Sequence, residues 1–150
     1  MSGTPKSPAR VFLDTSVLIA AALSTTGPAH AICLLARQGQ LQAVVSESVV
    51  LEFRDVVRRK FAKQESRFAE LLQFLGPEVA PAPTAKDMQS WKGQIEEGDW
   101  HVLASATSAG GSYLVTHDVK DFKTKALTLR TTFKLMTPGE FLVQWSLGGM

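Results

Sequence analysis

The chain has 150 residues, room for one domain and not two. A hydrophobic fraction of 45% with eight Phe and three Trp supplies a core and excludes global disorder, while 11 Gly and 7 Pro without a period exclude collagen-like and low-complexity chains. The net charge of +2 hides an uneven spread: residues 76–118 hold six acidic groups against two basic, whereas residues 119–150 hold five basic against two acidic, unlike a uniformly basic DNA-coating protein.

Taken in chain order, Arg10 to Leu13 is an apolar run ended by Asp14-Thr15-Ser16, which predicts a buried strand. The Ala-rich stretch Val17 to Leu23 favours helix, and Ser24 to Pro28 breaks it. A second helix is expected from about Pro28 to Arg37, with Pro in its first turn and Gly39 past its end. Leu41 to Val45 reads as a strand, and Ser46 as the cap of a long helix running to about Lys63. A further helix covers roughly Glu65 to Leu75, stopped by Gly76-Pro77. Glu78 to Ala80 is a short strand; Thr84 opens a helix to about Ile95, and Gly98-Asp99 another, in which Val102, Leu103, Ala106 and Ala109 keep helical spacing. Ser112 to Thr116 and Thr132 to Met136 are the last strands, and Pro138 begins a helix to about Trp145. Strands alternating with helices predict a parallel sheet covered on both faces.

Residues 1–9 lack the apolar core of a secretion signal and read as a flexible leader, 10–146 as one domain and 147–150 as a tail. The longest apolar run, Val17 to Leu23, falls far short of the roughly 20 residues of a membrane span, so no membrane partner is expected. The single cysteine, Cys33, cannot close an internal disulfide, in keeping with a cytoplasmic setting.

In an open parallel sheet, chemistry gathers at the carboxyl ends of the strands. Asp14 follows the first strand directly, and Asp118 stands two residues after Leu114-Val115-Thr116. Taken singly, each of these, and Asp99 after Gly98, is better explained as a helix cap or turn former than as a catalytic group. Glu52 is harder to explain that way. It falls at the edge of the stripe formed by Val49, Phe53, Val56 and Val57, with no basic residue three or four positions away. A carboxylate on an inward-facing edge calls for a cation. Asp55, by contrast, has Arg58 and Arg59 within one turn and reads as a solvated ion pair.

The ensemble Asp14, Glu52, Asp99 and Asp118 resembles the PIN domain nucleases. The matching pieces are Leu13-Asp14-Thr15-Ser16-Val17-Leu18-Ile19, Ser46 to Phe53, Glu96-Glu97-Gly98-Asp99-Trp100-His101-Val102-Leu103-Ala104 and Leu114 to Phe122, in the family's order over about residues 10–146. The third and fourth blocks look most like the branch containing VapC-type toxins of toxin–antitoxin pairs. The resemblance implies a three-layer α/β/α fold with a central parallel sheet, and a metal-dependent ribonuclease whose acidic core is Asp14, Glu52, Asp99 and Asp118. Asp121 and Glu96 match positions of additional acids, Ser16 a hydroxyl or amide position near the metal, and Thr116 the hydroxyl residue before the fourth acid; Ser16 and Thr116 are taken as substrate contacts. His117 and the pair Trp100-His101 depart from the family's usual residues and bear on substrate fit. A cytoplasmic homodimer and a small antitoxin partner are further expectations of the resemblance.

Carboxylates without clustered Cys or His favour hard cations, so Mg²⁺ or Mn²⁺ fits better than zinc; only His30 and Cys33 lie close in sequence. The resemblance implies hydrolysis leaving a 5′-phosphate and a 3′-hydroxyl. Arg58, Arg59, Lys60, Lys63, Lys120, Lys123 and Lys125 are candidates for phosphate contact on an RNA substrate, and a solvated helix face and loop account for the same run. The alternative function is a catalytically silent PIN-like module that binds RNA or protein. A phosphoacceptor receiver domain would carry an acid pair near the first strand and a Lys after the last, but Lys134 lies within it. A haloacid-dehalogenase-type phosphatase would carry Asp where Ser16 stands.

Overall fold

A computed structural model describes residues 8–81, 84–89, 113–119 and 133–148. Five strands, β1 (Ala9–Leu13), β2 (Leu41–Ser46), β3 (Glu78–Ala80), β4 (Tyr113–Val115) and β5 (Lys134–Met136), form one sheet in the order β3-β2-β1-β4-β5. All four pairings are parallel, as the alternation of strands and helices predicts. The helices are α1 (Thr15–Leu23), α2 (Pro28–Arg37), α3 (Glu47–Lys60), α4 (Glu65–Leu75), α5 (Ala85–Gln89) and α6 (Pro138–Ser146). The expected helix from Gly98 and the part of the expected fifth helix beyond Gln89 lie outside the described residues.

Successive residues of a strand face opposite sides of its sheet. Val11, Phe12 and Leu13 are all fully buried, as are Val44 and Val45 in β2 and Leu114 and Val115 in β4. The sheet is therefore covered on both faces, and its strands are continuous apolar runs rather than alternating ones. Helix α1 is apolar almost all round and packs on α2, α3 and α4, which makes it a core helix. No single helix among the described residues is long and apolar enough to cross a membrane.

Local chemistry sets the element ends. The Ser46 side chain accepts the Val49 N–H at 3.0 Å and starts α3. Its last turn carries Arg58, Arg59 and Lys60, whose charges suit the helix's negative end. The helix stops at Lys60, short of the expected Lys63, because Phe61 leaves helical geometry (φ −133°) and its ring lies 5.1 Å from that of Phe68. A single 3₁₀ turn, Ala62–Gln64, then leads into α4. Gly76 closes α4 in the left-handed region at φ 52°, where a β-carbon would be strained. Thr137 and Glu140 form a reciprocal capping box at the start of α6, with Pro138 in its first turn.

Candidate active site

The strand order fixes where a cleft opens. From β1 the chain crosses to β2 and β3 on one side of the sheet, and β4 and β5 fill the other side, so the connections diverge between β1 and β4. Such a reversal leaves a crevice at the carboxyl ends of the two strands. Asp14 follows β1 directly and Thr116, His117 and Asp118 follow β4. The ladder continues past the strand ends: the Asp14 N–H donates to the Val115 carbonyl at 3.1 Å, and the Thr116 N–H to the Met136 carbonyl at 3.0 Å.

Asp14 caps α1 and anchors a network at the same time. Its Oδ1 accepts the Thr15 N–H at 2.8 Å. Its Oδ2 accepts the Thr116 hydroxyl at 2.8 Å and the Ser16 hydroxyl at 3.1 Å. Those two hydroxyls accept in turn, Thr116 Oγ1 from the Asp118 N–H at 3.1 Å and Ser16 Oγ from the His117 N–H at 3.2 Å. Two hydroxyl relays thus tie the backbone after β4 to one carboxylate oxygen.

Asp14 is only 7% exposed, and loss of water pushes its carboxyl above the usual range. The hydrogen bonds from Thr116, Thr15 and Ser16 oppose that rise, and the nearby charge of Glu52 adds to it. Glu52 is therefore within electrostatic reach of Asp14, although the two stand 38 positions apart on different elements. Glu52 is not the inward-facing carboxylate expected from its place beside the apolar stripe: its side chain is exposed, and the buried acid of the site is Asp14. Glu52 thus lies on a solvent-facing edge of α3 from which its charge still reaches Asp14.

A carboxylate has about four lone-pair positions, of which the hydrogen bonds to Asp14 occupy three, leaving one on Oδ1. Neither ion pair among the described residues involves Asp14. The described residues contain no complete group of three His, Cys, Asp or Glu ligands; Asp99, Glu96 and Asp121 lie outside them. A partly satisfied buried carboxylate among oxygen donors suits a hard divalent cation. His30 and Cys33 do not form a metal site: His30 Nδ1 lies 3.0 Å from the Ala21 carbonyl, its ring stacks on Phe74, and Cys33 is fully buried.

Asp118 is exposed at the cleft mouth. Ser16 is half-buried beside Asp14, whereas Thr116 is wholly buried with its hydroxyl engaged by Asp14 and Asp118. Thr116, expected to contact substrate, has no exposed surface, and its hydroxyl bridges the Asp14 carboxylate and the Asp118 N–H. Arg59 pairs with Asp55 at 2.9 Å, both exposed, and this is the solvated ion pair expected of Asp55. Arg58 lies on another flank of α3, lining a groove against α4. Lys60 and Lys63 are exposed, and Lys120, Lys123 and Lys125 lie outside the described residues. The backbone N–H groups of His117 and Asp118 escaped sequence reasoning, which sees side chains; the Thr-x-Asp spacing after β4 was the available signal.

A family model described as PIN domain matches residues 10–120. The chain belongs to the PIN domain family. This PIN domain is similar in fold to PAE2754 from Pyrobaculum aerophilum, at a TM-score of 0.63 and 16% identity over 95% of this chain and 94% of that one. It is also similar to FitAcB from Neisseria gonorrhoeae, at 0.61 and 18% over 86% and 98% of the two chains. A third similar structure is VapBC2 from Rickettsia felis bound to a DNA fragment from their promoter, at 0.60 and 19% over 84% and 96%. No curated protein sequence matches the chain. The five-stranded parallel sheet with its flanking helices is the fold expected of a PIN domain.

Proposed function

We propose that the chain is a metal-dependent endoribonuclease acting at the β1–β4 crevice, and the cytoplasmic toxin of a toxin–antitoxin pair. The observation that carries the reading is the buried Asp14 carboxylate, held by two hydroxyl relays with Glu52 close enough to perturb it. A structural cap needs neither the second carboxylate nor the clamp from β4. The VapC-type resemblance of the motif blocks supports the toxin assignment, and so do the folds of VapBC2 and FitAcB.

Asp14, Glu52, Asp99 and Asp118 would hold Mg²⁺ or Mn²⁺, with Asp121 and Glu96 as further candidates. When bound, the cation supplies charge neutralisation at the phosphodiester and an acidified water. The chain's own residues do the positioning. Thr116 and Ser16 keep Asp14 Oδ2 fixed, so that only Oδ1 has an open acceptor site. The same hydroxyls hold the backbone N–H groups of His117 and Asp118, which supports a fixed base for the exposed Asp118 carboxylate. The substrate is RNA, the functional unit a homodimer, and the partner a small antitoxin covering the crevice.

The test is cleavage of a panel of single-stranded and structured RNAs with Mn²⁺, Mg²⁺ or EDTA, beside identically purified Asp14→Asn protein. Metal-dependent cutting by the wild type alone is expected. Equal cutting by both proteins would trace activity to a contaminant. RNA binding without cutting by either would support the silent binding module instead.

A further inference from the structure

The rings of the described residues pack on one another or lie buried, with one exception. Phe53 and Phe61 pack on Phe68, Tyr113 meets Phe141 edge-on, Phe141 stacks on Trp145, and His30 stacks on Phe74. Phe12 and Phe133 are in the core. Among the described residues His117 is the one ring-bearing residue that is exposed, and there its imidazole makes no hydrogen bond, ion pair or ring contact. Its main chain is nevertheless fixed. The His117 N–H donates to Ser16 Oγ at 3.2 Å, and the Ser16 hydroxyl donates to Asp14 Oδ2 at 3.1 Å. Its neighbours are held too, Thr116 by burial and the Asp118 N–H by Thr116 Oγ1 at 3.1 Å. The fold spends two hydrogen bonds on placing a ring that contributes nothing to the packing.

We propose that His117 determines specificity at the crevice, its imidazole stacking on the base of a nucleotide beside the scissile phosphate of a single-stranded RNA. The ring's backbone anchor stands at most about 6 Å from Asp14 Oδ2, within the length of one nucleotide. Unpaired RNA splays out base faces that stack on aromatic and imidazole rings, whereas the bases of a duplex are stacked on each other. A stack needs a π-face and no particular pattern of donors and acceptors, so it selects unpaired nucleotides without reading a sequence. A ring on a fixed backbone also loses less freedom on binding than one on a loose loop. This inference rests on the nuclease reading, because a base reaches His117 only if RNA enters the crevice.

The probes are fluorescein-labelled hexa-adenylate and the same ribose-phosphate strand carrying no bases. Binding is read by anisotropy in Ca²⁺, with strand integrity checked on a gel. His117→Ala is expected to weaken hexa-adenylate binding at least about fivefold and to leave the baseless strand unchanged. His117→Phe keeps a ring without the imidazole nitrogens and should stay within about twofold of wild type. Both variants retain the backbone N–H to Ser16, and circular dichroism checks their fold. Equal losses on the two strands would reveal a phosphate contact and overturn the proposal, as would His117→Phe binding as weakly as His117→Ala. No binding of either strand by the wild type would instead overturn the nuclease reading, and this inference with it.

Discussion

Thr116 Oγ1 lies 2.8 Å from Asp14 Oδ2, joining two residues 102 positions apart across the ends of β1 and β4. Thr116→Val keeps the shape and removes the hydroxyl, leaving Asp14 Oδ2 with one donor and the Asp118 N–H without its acceptor. A buried hydrogen-bond loss of this kind costs about 1–3 kcal/mol. Urea unfolding is expected to show that loss, and RNA cleavage to fall further than the population of folded protein explains. Wild-type cleavage by a destabilised variant would remove the positioning role.

Asp14 gives a pH signature of the metal-free protein. Its folded-state carboxyl titrates above the ordinary value of 3.8, so between the two values the folded protein keeps a proton that the unfolded chain has released. Stability therefore declines as pH rises from about 4 and levels off above the folded value. Asp14→Asn is expected to lack this decline; because its amide cannot accept from Thr15 on one atom and from Thr116 and Ser16 on the other, the readout is the slope of stability against pH and not the melting temperature at one pH. Glu52→Gln should lower the Asp14 titration by removing the neighbouring charge, readable by carboxyl NMR.

Mg²⁺ or Mn²⁺ is expected to raise the melting temperature of the wild type, because a ligand that binds only the folded state stabilises it by mass action. The increment should vanish in Asp14→Asn. A melting temperature unmoved by either ion at millimolar concentration would count against a metal at this crevice.

Cys33 is fully buried, and its thiol is pushed up to about 11 by loss of water. Labelling by a thiol reagent at pH 8 should be negligible in the native protein and should follow the denaturant unfolding curve. Prompt stoichiometric labelling without denaturant would contradict the packing of α2.

Arg10 and Glu78 show the opposite regime. Their bidentate contact, 2.7 Å on each arm, bridges β1 and β3, yet the side chains are 35% and 42% exposed. Arg10 holds the Glu78 carboxyl below its usual range, so the pair's contribution is present above about pH 4.5 and lost as pH falls through the lowered value. Glu78→Gln is expected to cost no more than about 1 kcal/mol, less in high salt. A loss matching that of Thr116→Val would show the pair to be far better shielded than its exposure indicates.

The sheet was readable because fully buried parallel strands leave unbroken apolar runs, as in Val11-Phe12-Leu13 and Leu114-Val115. Even the three-residue β3 stood out between Gly76-Pro77 and Pro81. The candidate site was half legible. Asp14 announced itself by its place after a strand, but its burial depends on β4, which arrives a hundred residues later. The exposure of Glu52 escaped the helical stripe because periodicity reports the core face and is blind to a crevice. The end of α3 was misplaced by three residues because the ring contact between Phe61 and Phe68 is tertiary, and local propensity carries no trace of it. Arg58 and Arg59 looked alike in sequence and part company only once the helix is docked.

The clamp on Asp14 also gives the molecule a schedule. During synthesis β1 can pair with β2 as soon as the first fifty residues have emerged, but both hydroxyl relays end on residues after β4. A growing chain short of Thr116 therefore holds Asp14 without the clamp that fixes its carboxylate, however well β1 and β2 are formed. The arrangement at the crevice is complete only when β4 docks against β1, so a chain truncated before Thr116 lacks both relays however much of its sheet has formed.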